Sequence, residues 1–517
     1  LLRGKRMKTF AAIDVGSFEL AMKIFEISHA TGIREVDSIR CSLDLGSETY
    51  VSGKMSCEKI NELCDKLCDF SKIMSSYKVD DYRAYGTSAL RETKNTAIVV
   101  DQIEQRTGIR IGVLSNSEQR FLDYKSVASK GGEFEKIIEK KTAIVDVGGG
   151  SIQISLFDKD TLVTTQNMKV GVLRLQEAMR VLNASSENFE DLVEEYISSQ
   201  LEVFKKLYLD EINVPNIIIV DDYISAIVDK KIVGDEHRFM SISEVSKILM
   251  EVKSMGTSEI AHVMDIPEEN VQPTFISEIL VSSICHMMNA EVIWVPGVTL
   301  SDGMAYEYAE NKKLVTLKHN FEEDIIACAK NISARYMGSR KRSETIEKIA
   351  LEIFDCMKKV HGLGRRQRLL LRISAILHDC GKYISMVNLG ECSYNIIIST
   401  EIIGLSHMER EIVANVVKFN HSEFEYYEEL GRKLTISRED YLTIAKLTAM
   451  LRLANGLDRS HKQKFGDMKV QIRGNILECS VSADEDITLE KGMLSARSSF
   501  FEEVFNVHPV IKQIKRV

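Results

Sequence analysis

The sequence predicts an α/β protein with a duplicated pair of domains and a cleft between them, followed by an all-α domain and a small α+β domain. The same unit occurs twice, at 9–28 and at 141–158: a buried strand ends in an acidic–glycine turn and continues into a second strand. An internal repeat of this kind indicates a duplicated domain. From about residue 315 the apolar residues follow a helical period, and from about residue 466 they alternate as in strands.

The first repeat has the expected element order β-β-β-α-β-α-β-α, with strands at Thr9–Val15, Ala21–Ser28, Tyr82–Gly86 and Arg110–Leu114 and a helix at Cys57–Tyr77. The second repeat has expected strands at Lys141–Val147, Gln153–Asp158 and Asn216–Val220 and a helix at Phe189–Tyr208. The end of the chain has expected strands at Lys469–Arg473 and Ile476–Val481 and a helix near Ser498–Phe505. We therefore divide the chain into four domains: 8–125, 126–312, 313–465 and 466–517.

Composition limits the class of protein. The 517 residues are too many for one hydrophobic core, which agrees with several domains. The formal net charge of −9 argues against a basic coat for nucleic acid. The ten cysteines form no CxxC pair and are expected to be buried, reduced thiols, as in a reducing cytoplasm. Because no apolar run can span a bilayer, we expect a cytoplasmic protein without a membrane partner.

Two glycine-rich turns are the candidate phosphate-binding loops: Asp14-Val-Gly-Ser17 and Asp146-Val-Gly-Gly-Gly-Ser151. Glycine permits a tight turn in which backbone N–H groups point at a phosphate, and a serine hydroxyl adds a further donor. A carboxylate at the strand end can hold Mg²⁺. One such turn is weak evidence, but two turns after buried strands are typical of an actin/hexokinase-like (ribonuclease H-like) domain pair. The predicted phosphate-binding residues here are Gly16, Ser17, Gly148, Gly149, Gly150 and Ser151, with Asp14 and Asp146 for Mg²⁺.

Two further segments could contribute to the cleft. Thr87 and Ser88 follow a strand, and Arg91 could hold a phosphate with two hydrogen bonds. The alternative is that Arg91 is a surface residue at a helix start. Glu118 also follows a strand, and a carboxylate there could activate a water that attacks phosphorus. Its alternative is a first-turn glutamate that the helix dipole favours.

These motifs, in this order, resemble the exopolyphosphatase / guanosine pentaphosphate phosphohydrolase (Ppx/GppA) family over nearly the whole chain. The resemblance rests on both loops and on the segments Tyr85–Asn95, Leu114–Glu118, Gly171–Leu175, Pro296–Gly303, Ile376–Lys382 and Leu451–Asp458. It implies Mg²⁺-dependent removal of terminal phosphate from polyphosphate or pppGpp, without a choice between them. It further implies that Glu118, Asp14 and Asp146 are catalytic, and that a homodimer is the default assembly.

The chain departs from the family pattern at several positions near the cleft. Phe18-Glu19 replaces Asn-Ser, Gln119-Arg120-Phe121 replaces Glu-Ala-Arg, Ile152-Gln153 replaces Thr-Glu, and Asp221-Asp222 replaces a glycine pair. A phenylalanine cannot donate to phosphate, and added carboxylates repel a polyanion unless a metal binds them. Whether these changes abolish catalysis stays open at this point.

The helical region resembles the HD-type domain of long family members. His378-Asp379 matches the central pair of a four-ligand metal site, but the two outer positions are Ser343 and Asn455. We therefore favour a structural histidine–aspartate hydrogen bond on a helix over a metal centre. Two basic runs are solvated helix ends or, by resemblance, part of a path for the polyphosphate chain: Arg340, Lys341, Arg342, Arg365, Arg366 and Arg368.

Three functions remain. The favoured one is a phosphatase in which Glu118 activates water. The second is a binding or regulatory protein that holds polyphosphate or a guanosine penta- or tetraphosphate with little or no hydrolysis. An actin- or sugar-kinase-like ATPase is the weakest, because such proteins do not carry this C-terminal half.

Overall fold

The computed structural model describes residues 7–182, 188–209, 213–231, 239–264, 268, 271–315, 319–433, 436–482 and 484–514. The chain forms two compact units, residues 1–321 and 322–517. Within the described ranges, no helix is both long and apolar enough to cross a membrane.

The first sheet has five strands in the order β3-β2-β1-β4-β5: β1 Lys8–Val15, β2 Glu19–Ser28, β3 Gly32–Ser42, β4 Asp81–Gly86 and β5 Gly112–Val113. The helices of this half are α1 Gly46–Ser52, α2 Cys57–Ser76, α3 Ser88–Glu92, α4 Thr96–Thr107 and α5 Asn116–Ala128. The central strand β1 is buried on both faces from Phe10 to Ile13. The strand expected at Arg110–Leu114 is reduced to two residues, which pair with the end of β4.

The second sheet has six strands in the order β10-β11-β9-β6-β7-β8: β6 Thr142–Val147, β7 Ile152–Asp158, β8 Thr161–Met168, β9 Asn216–Val220, β10 Phe239–Ser241 and β11 Val292–Trp294. The helices of this half are α6 Gly132–Ile138, α7 Val172–Val181, α8 Phe189–Phe204, α9 Asp222–Lys231, α10 Ile242–Lys253, α11 Thr257–Met264, α12 Val271–Met288 and α13 Leu300–Asn311. A π-helical turn, Lys205–Leu209, follows α8.

The duplication is visible in the strand pairing. β1 pairs antiparallel with β2 and parallel with β4, and β6 pairs in the same way with β7 and β9. The two candidate phosphate loops are the hairpin turns of these pairs. Gly16 N–H donates to the Glu19 carbonyl at 3.0 Å, and Gly148 N–H donates to the Ser151 carbonyl at 3.0 Å. The two turns are therefore closed by equivalent hydrogen bonds.

Helix α5 is held in place by α13. A Cβ atom on Gly303 would lie 2.0 Å from the carbonyl oxygen of Leu122, so only glycine permits this approach of the two helices. The contact fixes the position of α5, whose first turn contains both Glu118 and Gln119.

The second unit is largely helical. Its helices are α14 Phe321–Arg335, α15 Arg340–Cys356, α16 Lys358–His361, α17 Arg365–Ile376, α18 Leu389–Ser399, α19 His407–His421, α20 Tyr427–Lys433, α21 Arg438–Leu457 and α22 Thr488–Phe505, with a 3₁₀ turn at Cys380–Tyr383. A small sheet in the order β12-β13-β14 follows: β12 Lys469–Arg473, β13 Ile476–Ser482 and β14 His508–Ile514. The last helix begins at Thr488, earlier than expected, and β14 had no counterpart in the sequence prediction.

The expectation of buried thiols holds for only part of the cysteines. All ten are free, which agrees with reduced thiols. Cys57 is exposed and four others are half-buried, so five differ from the expectation; the half-buried ones are Cys41, Cys68, Cys356 and Cys392. Those that are buried are Cys64, Cys285, Cys328, Cys380 and Cys479.

Candidate active site

A cleft of about 440 Å³ lies between the two repeats. Both hairpin turns line it, because each turn stands at the end of the central strand of its sheet. The predicted site residues found in its wall are Asp14, Gly16, Ser17, Thr87, Ser88, Asp146, Gly148, Gly149 and Ser151. The structure thus brings most of the predicted residues together, whereas Gly150, Arg91 and Glu118 are not among the lining residues.

Three hydroxyl groups form a ring at the first loop. Ser17 Oγ lies 2.6 Å from Ser88 Oγ and 2.8 Å from the Tyr50 hydroxyl, which lies 2.8 Å from Ser88 Oγ. Burial raises the pKa of Tyr50, so its hydroxyl is neutral and can donate. The Arg174 guanidinium stacks 4.7 Å above the Tyr50 ring, and its Nε donates to the Gly150 carbonyl at 3.0 Å. Tyr50 and Arg174 therefore join the first loop to the second.

Arg91 is directed toward the start of α5. Its Nη1 donates to the Leu114 carbonyl at 2.8 Å and to Gln119 Oε1 at 3.2 Å. These contacts place Arg91 as a support for Gln119, instead of at the surface or in the cleft wall.

Glu118 closes a capping box at the start of α5. Its Oε2 accepts from Ser115 N–H at 3.0 Å and from Ser115 Oγ at 2.6 Å, while Ser115 Oγ accepts from Glu118 N–H at 3.3 Å. This arrangement satisfies backbone donors at the helix end. The next residue, Gln119, lines the cleft, and Asp123 lines it one helical turn later. The side chains that α5 presents to the cleft are thus Gln119 and Asp123.

Two basic side chains, Lys23 and Arg40, line the cleft together with several carboxylates. Lys23 Nζ lies 2.9 Å from Asp302 Oδ2 and 3.0 Å from Glu35 Oε2. Burial opposes its charge, but the two carboxylates prevail and raise the pKa of Lys23. Within the described residues, no three His, Cys, Asp or Glu side chains come close enough to hold a metal by themselves. Asp14 and Asp146 nevertheless fit Mg²⁺, since this ion is usually held by one or two carboxylates together with substrate phosphates.

Most of the chain matches two domains of one known protein family. Residues 24–312 match the Ppx/GppA phosphatase family, and residues 326–497 match domain III of the Ppx/GppA phosphatase. This chain belongs to the Ppx/GppA phosphatase family.

Individual relatives of the family are distant in sequence. Guanosine-5'-triphosphate,3'-diphosphate pyrophosphatase of Vibrio atlanticus (strain LGP32) is 21% identical over 416 residues, covering 79% of this chain and 80% of that protein. Exopolyphosphatase 1 of Mycobacterium leprae (strain TN) is 27% identical over 144 residues, covering 28% and 41%. The crystal structure of an exopolyphosphatase from Cytophaga hutchinsonii ATCC 33406 has a TM-score of 0.52 at 17% identity, covering 60% of this chain and 99% of that chain. This last likeness shows the fold.

The departures from the Ppx/GppA pattern have partners in the structure. Arg120 Nε donates to Gln153 Oε1 at 2.9 Å, and both side chains are buried. Arg120 Nη1 also donates to Thr165 Oγ1. The positions that carry Ala and Glu in the family pattern thus form a hydrogen-bonded pair here.

The replacements in the first loop form one wall of the cleft. The Phe18 ring packs against Tyr223 with a centroid distance of 6.2 Å, and Glu19 Oε1 lies 3.4 Å from Arg40 Nε. Phe18 also lines a second cavity of about 970 Å³. It therefore separates two cavities, and Glu19 does not stand in the cleft as an isolated charge.

Asp221 is engaged with the backbone of α9. Its Oδ1 accepts from Ile224 N–H at 2.7 Å, and its Oδ2 accepts from Ser277 Oγ at 2.5 Å. The carboxylate thus satisfies a helix-start donor while it lines the cleft. The side chain of Asp222 lies outside the described part of the chain.

The candidate polyanion path in the second unit is largely paired with carboxylates. The pairs are Arg340–Glu344, Arg365–Glu322, Arg366–Glu409 and Arg368–Asp355, and Lys341 is exposed. Arg342 is only 6% exposed, so it cannot line a surface path for polyphosphate. This corrects the expectation for Arg342, whose neighbours in the run do reach solvent.

The expected histidine–aspartate hydrogen bond on a helix is also wrong. His378 follows the end of α17, and its Nε2 lies 3.8 Å from Asp379 Oδ2, which is too far for a hydrogen bond. Its Nδ1–H donates instead to the Ala375 carbonyl at 2.8 Å.

Sequence reasoning missed two residues that line the cleft, Gln119 and Asp123. It also missed Tyr50 and Arg174, which join the two loops. Asp123 follows the cleft-facing Gln119 by four residues, and helical periodicity could have placed both on one face. Tyr50 and Arg174 come from distant segments, and no local pattern indicates that they meet.

Proposed function

We propose that the cleft binds the terminal phosphates of a phosphoanhydride chain, inorganic polyphosphate or pppGpp, together with Mg²⁺, and hydrolyses it slowly. The observation that carries this proposal is the division of roles on α5: Glu118 is engaged with Ser115, and Gln119 lines the cleft. The substrate class is supported by the names of the relatives in Vibrio and Mycobacterium.

Phosphate binding relies on the two hairpin turns. The glycine N–H groups of both turns and the hydroxyls of Ser17, Ser88 and Ser151 supply donors to phosphate oxygens. A bound phosphate replaces the partners that Ser17 and Ser88 have in the hydroxyl ring. Asp14 and Asp146 would hold Mg²⁺, which offsets phosphate charge in a cleft that already contains carboxylates.

Slow turnover is expected because the cleft-facing residue Gln119 carries an amide and not a carboxylate. The Gln119 side chain can orient a water molecule through its amide, and Arg91 holds it in place. An amide cannot take up the proton of the attacking water, a step that contributes about 10²–10⁴-fold to rate when a side chain performs it. The fold therefore retains binding while the step that needs a base is weakened.

A second candidate is an ordinary phosphatase that uses Asp123 as the base. This carboxylate lines the cleft one turn after Gln119 and is only 3% exposed. A carboxylate at this position could take up the proton of the attacking water, which the amide of Gln119 cannot do.

Ligand binding and phosphate release in the same preparation separate the candidates. Calorimetry with tripolyphosphate and pppGpp, with and without Mg²⁺, should show tight binding that Asp14→Asn weakens at least about tenfold. Phosphate release should stay below about 0.1 s⁻¹, against about 10 s⁻¹ for a median enzyme. If the wild-type protein releases phosphate at the ordinary rate and Asp123→Asn abolishes this release, the second candidate is established. Absence of binding to both ligands contradicts the proposal.

A further inference from the structure

A single arginine connects the two repeats beside the phosphate loops. Arg174, in the first turn of α7, donates from Nη2 to Glu92 Oε2 at 2.6 Å and from Nε to the Gly150 carbonyl at 3.0 Å. Its guanidinium also lies 4.7 Å from the centre of the Tyr50 ring. Tyr50 and Glu92 belong to the first repeat, whereas Arg174 and Gly150 belong to the second. One side chain therefore contacts three partners across both repeats.

The short helix α3 receives this connection at both of its ends. Ser88 is its first residue, and Glu92 is its last. Glu92 binds Arg174 directly, and Ser88 Oγ lies 2.8 Å from the Tyr50 hydroxyl, whose ring packs under the guanidinium. Ser88 also lines the cleft, where it can donate to a phosphate oxygen. A phosphate donor of the first repeat is thus held by an arginine of the second.

The second phosphate loop approaches the same group closely. A Cβ atom on Gly150 would lie 2.4 Å from the Tyr50 hydroxyl oxygen and 3.0 Å from Ser88 Oγ, so this approach requires glycine. A Cβ atom on the adjacent Gly149 would lie 3.3 Å from Ser17 Cβ. The serine hydroxyls of the first repeat therefore stand beside the glycine backbone of the second. This arrangement allows one phosphate group to bind donors of both repeats.

The connecting side chains act on the cleft from outside. The residues that line the cleft do not include Arg174, Glu92 or Tyr50. The carboxylate and the guanidinium of the ion pair are 30% and 29% exposed, so solvent screens their attraction and the pair adds little to stability. A guanidinium is planar and has its donors in fixed directions. Its three contacts therefore define a geometry more than they stabilise the fold.

We propose that Arg174 is a positioning residue that sets the spacing of the two phosphate loops, so that donors of both repeats bind the same phosphate group. The inference rests on the proposed function, because it requires a phosphate chain in the cleft. Donors that are in place before the ligand arrives need no ordering when it binds, which increases affinity. Loss of Arg174 should therefore weaken binding although the ligand does not contact this residue.

Calorimetry on the full-length chain in Mg²⁺ tests the proposal with tripolyphosphate, or with pppGpp if only that ligand binds. Arg174→Ala should weaken binding at least about tenfold. It should lower the melting temperature by less than about 4 °C, since the lost ion pair is partly exposed. Arg174→Lys keeps a charge opposite Glu92 but not the planar contact with Tyr50, so its affinity should lie between those of wild type and Arg174→Ala. Arg180→Ala removes an arginine of the same helix that pairs with Glu177, and it should change neither property.

A combination with Ser88→Ala separates positioning from a general structural effect. In the wild-type background, Ser88→Ala should weaken binding at least about tenfold. In the Arg174→Ala background it should weaken binding less than about threefold, because Ser88 is then no longer held against the second loop. If Arg174→Ala does not fold, Arg174→Lys replaces it in the same cycle, and Ser88→Ala should again cost less than in the wild-type background.

Three results overturn the inference. Wild-type binding that Arg174→Ala leaves unchanged contradicts it and leaves the proposed function intact. Equal losses on Ser88→Ala in both backgrounds also contradict it, because they show that the two residues act independently. Absence of wild-type binding to both tripolyphosphate and pppGpp removes the proposed function and this inference together.

Discussion

Arg120 on α5 donates a 2.9 Å hydrogen bond to Gln153 on β7, and so joins the first repeat to the strand that follows the second phosphate loop. Each residue departs from the Ppx/GppA pattern, and each is the other's partner. Arg120 places a buried guanidinium where the family pattern has Ala, and Gln153 places a neutral amide where it has Glu. Position 153 therefore lacks the carboxylate of the family pattern, and the amide oxygen of Gln153 accepts a hydrogen bond from Arg120.

A double-mutant cycle measures this pair. Arg120→Ala and Gln153→Ala should each cost about 1–3 kcal/mol of unfolding free energy, because each leaves a buried polar group without its partner. The coupling between them should be about 1.5–3 kcal/mol, the range for a hydrogen bond to a charged group. Urea unfolding of the four proteins gives the value. Strictly additive costs would show that the contact contributes nothing.

The capping box predicts a specific pattern at Glu118. Ser115→Ala should cost about 1 kcal/mol, since an N-cap side chain is lost. Glu118→Ala should have a similar cost, whereas Glu118→Gln should cost less than about 0.5 kcal/mol because glutamine also completes the box. Chemical unfolding checks all three variants. A large loss of stability in Glu118→Gln would show that the charge has another role.

The hydroxyl ring predicts different roles for its members. Ser88→Ala should weaken binding of tripolyphosphate at least about tenfold, as expected for the loss of one hydrogen bond to a charged ligand. Tyr50→Phe should change binding less than about twofold, because Tyr50 does not line the cleft and its ring remains under Arg174. Calorimetry in Mg²⁺ compares the two. Equal losses would place the Tyr50 hydroxyl on the ligand.

His361 makes the stability of the protein depend on pH. Its Nε2–H donates to the Phe354 carbonyl at 2.9 Å, and its Nδ1 accepts from Leu363 N–H at 2.8 Å. Burial lowers its pKa below the ordinary 6.5, so the unfolded chain takes up a proton that the folded chain does not. Stability is therefore fully present above pH 6.5 and is lost as the pH falls. Wild-type protein should lose up to about 1 kcal/mol more than His361→Gln between pH 7.5 and 5.5 in urea unfolding.

The two repeats could be predicted from sequence because each rests on a local pattern, a buried strand with a glycine turn. The role of Glu118 was also readable, since Ser115-Asn-Ser-Glu118 has the spacing of a capping box. The family motif drew attention to Glu118, which the chain retains, instead of to Gln119, which replaces a glutamate of the family pattern. A motif fixes residue types along the chain, but the helix start decides which of two neighbours faces the cleft.

The burial of Arg342 shows the same limit. It belongs to a run of basic residues, yet it precedes Ile346, Ile349 and Ile353 at helical spacing and so lies on the buried face of α15. Its guanidinium lies 3.7 Å from Asp379 Oδ2 and 3.8 Å from Asp458 Oδ2, and a single sequence does not connect these remote segments. Contacts of this kind depend on tertiary packing.

Phosphate release by Gln119→Glu, compared with Glu118→Gln, tests the central claim most directly. If the residue at 119 faces the ligand, Gln119→Glu supplies the missing base and should raise the rate of release from tripolyphosphate or pppGpp at least about tenfold over wild type. Glu118→Gln should leave the wild-type rate unchanged. A rate that Gln119→Glu does not raise, together with a wild-type rate that Glu118→Gln abolishes, would contradict the account.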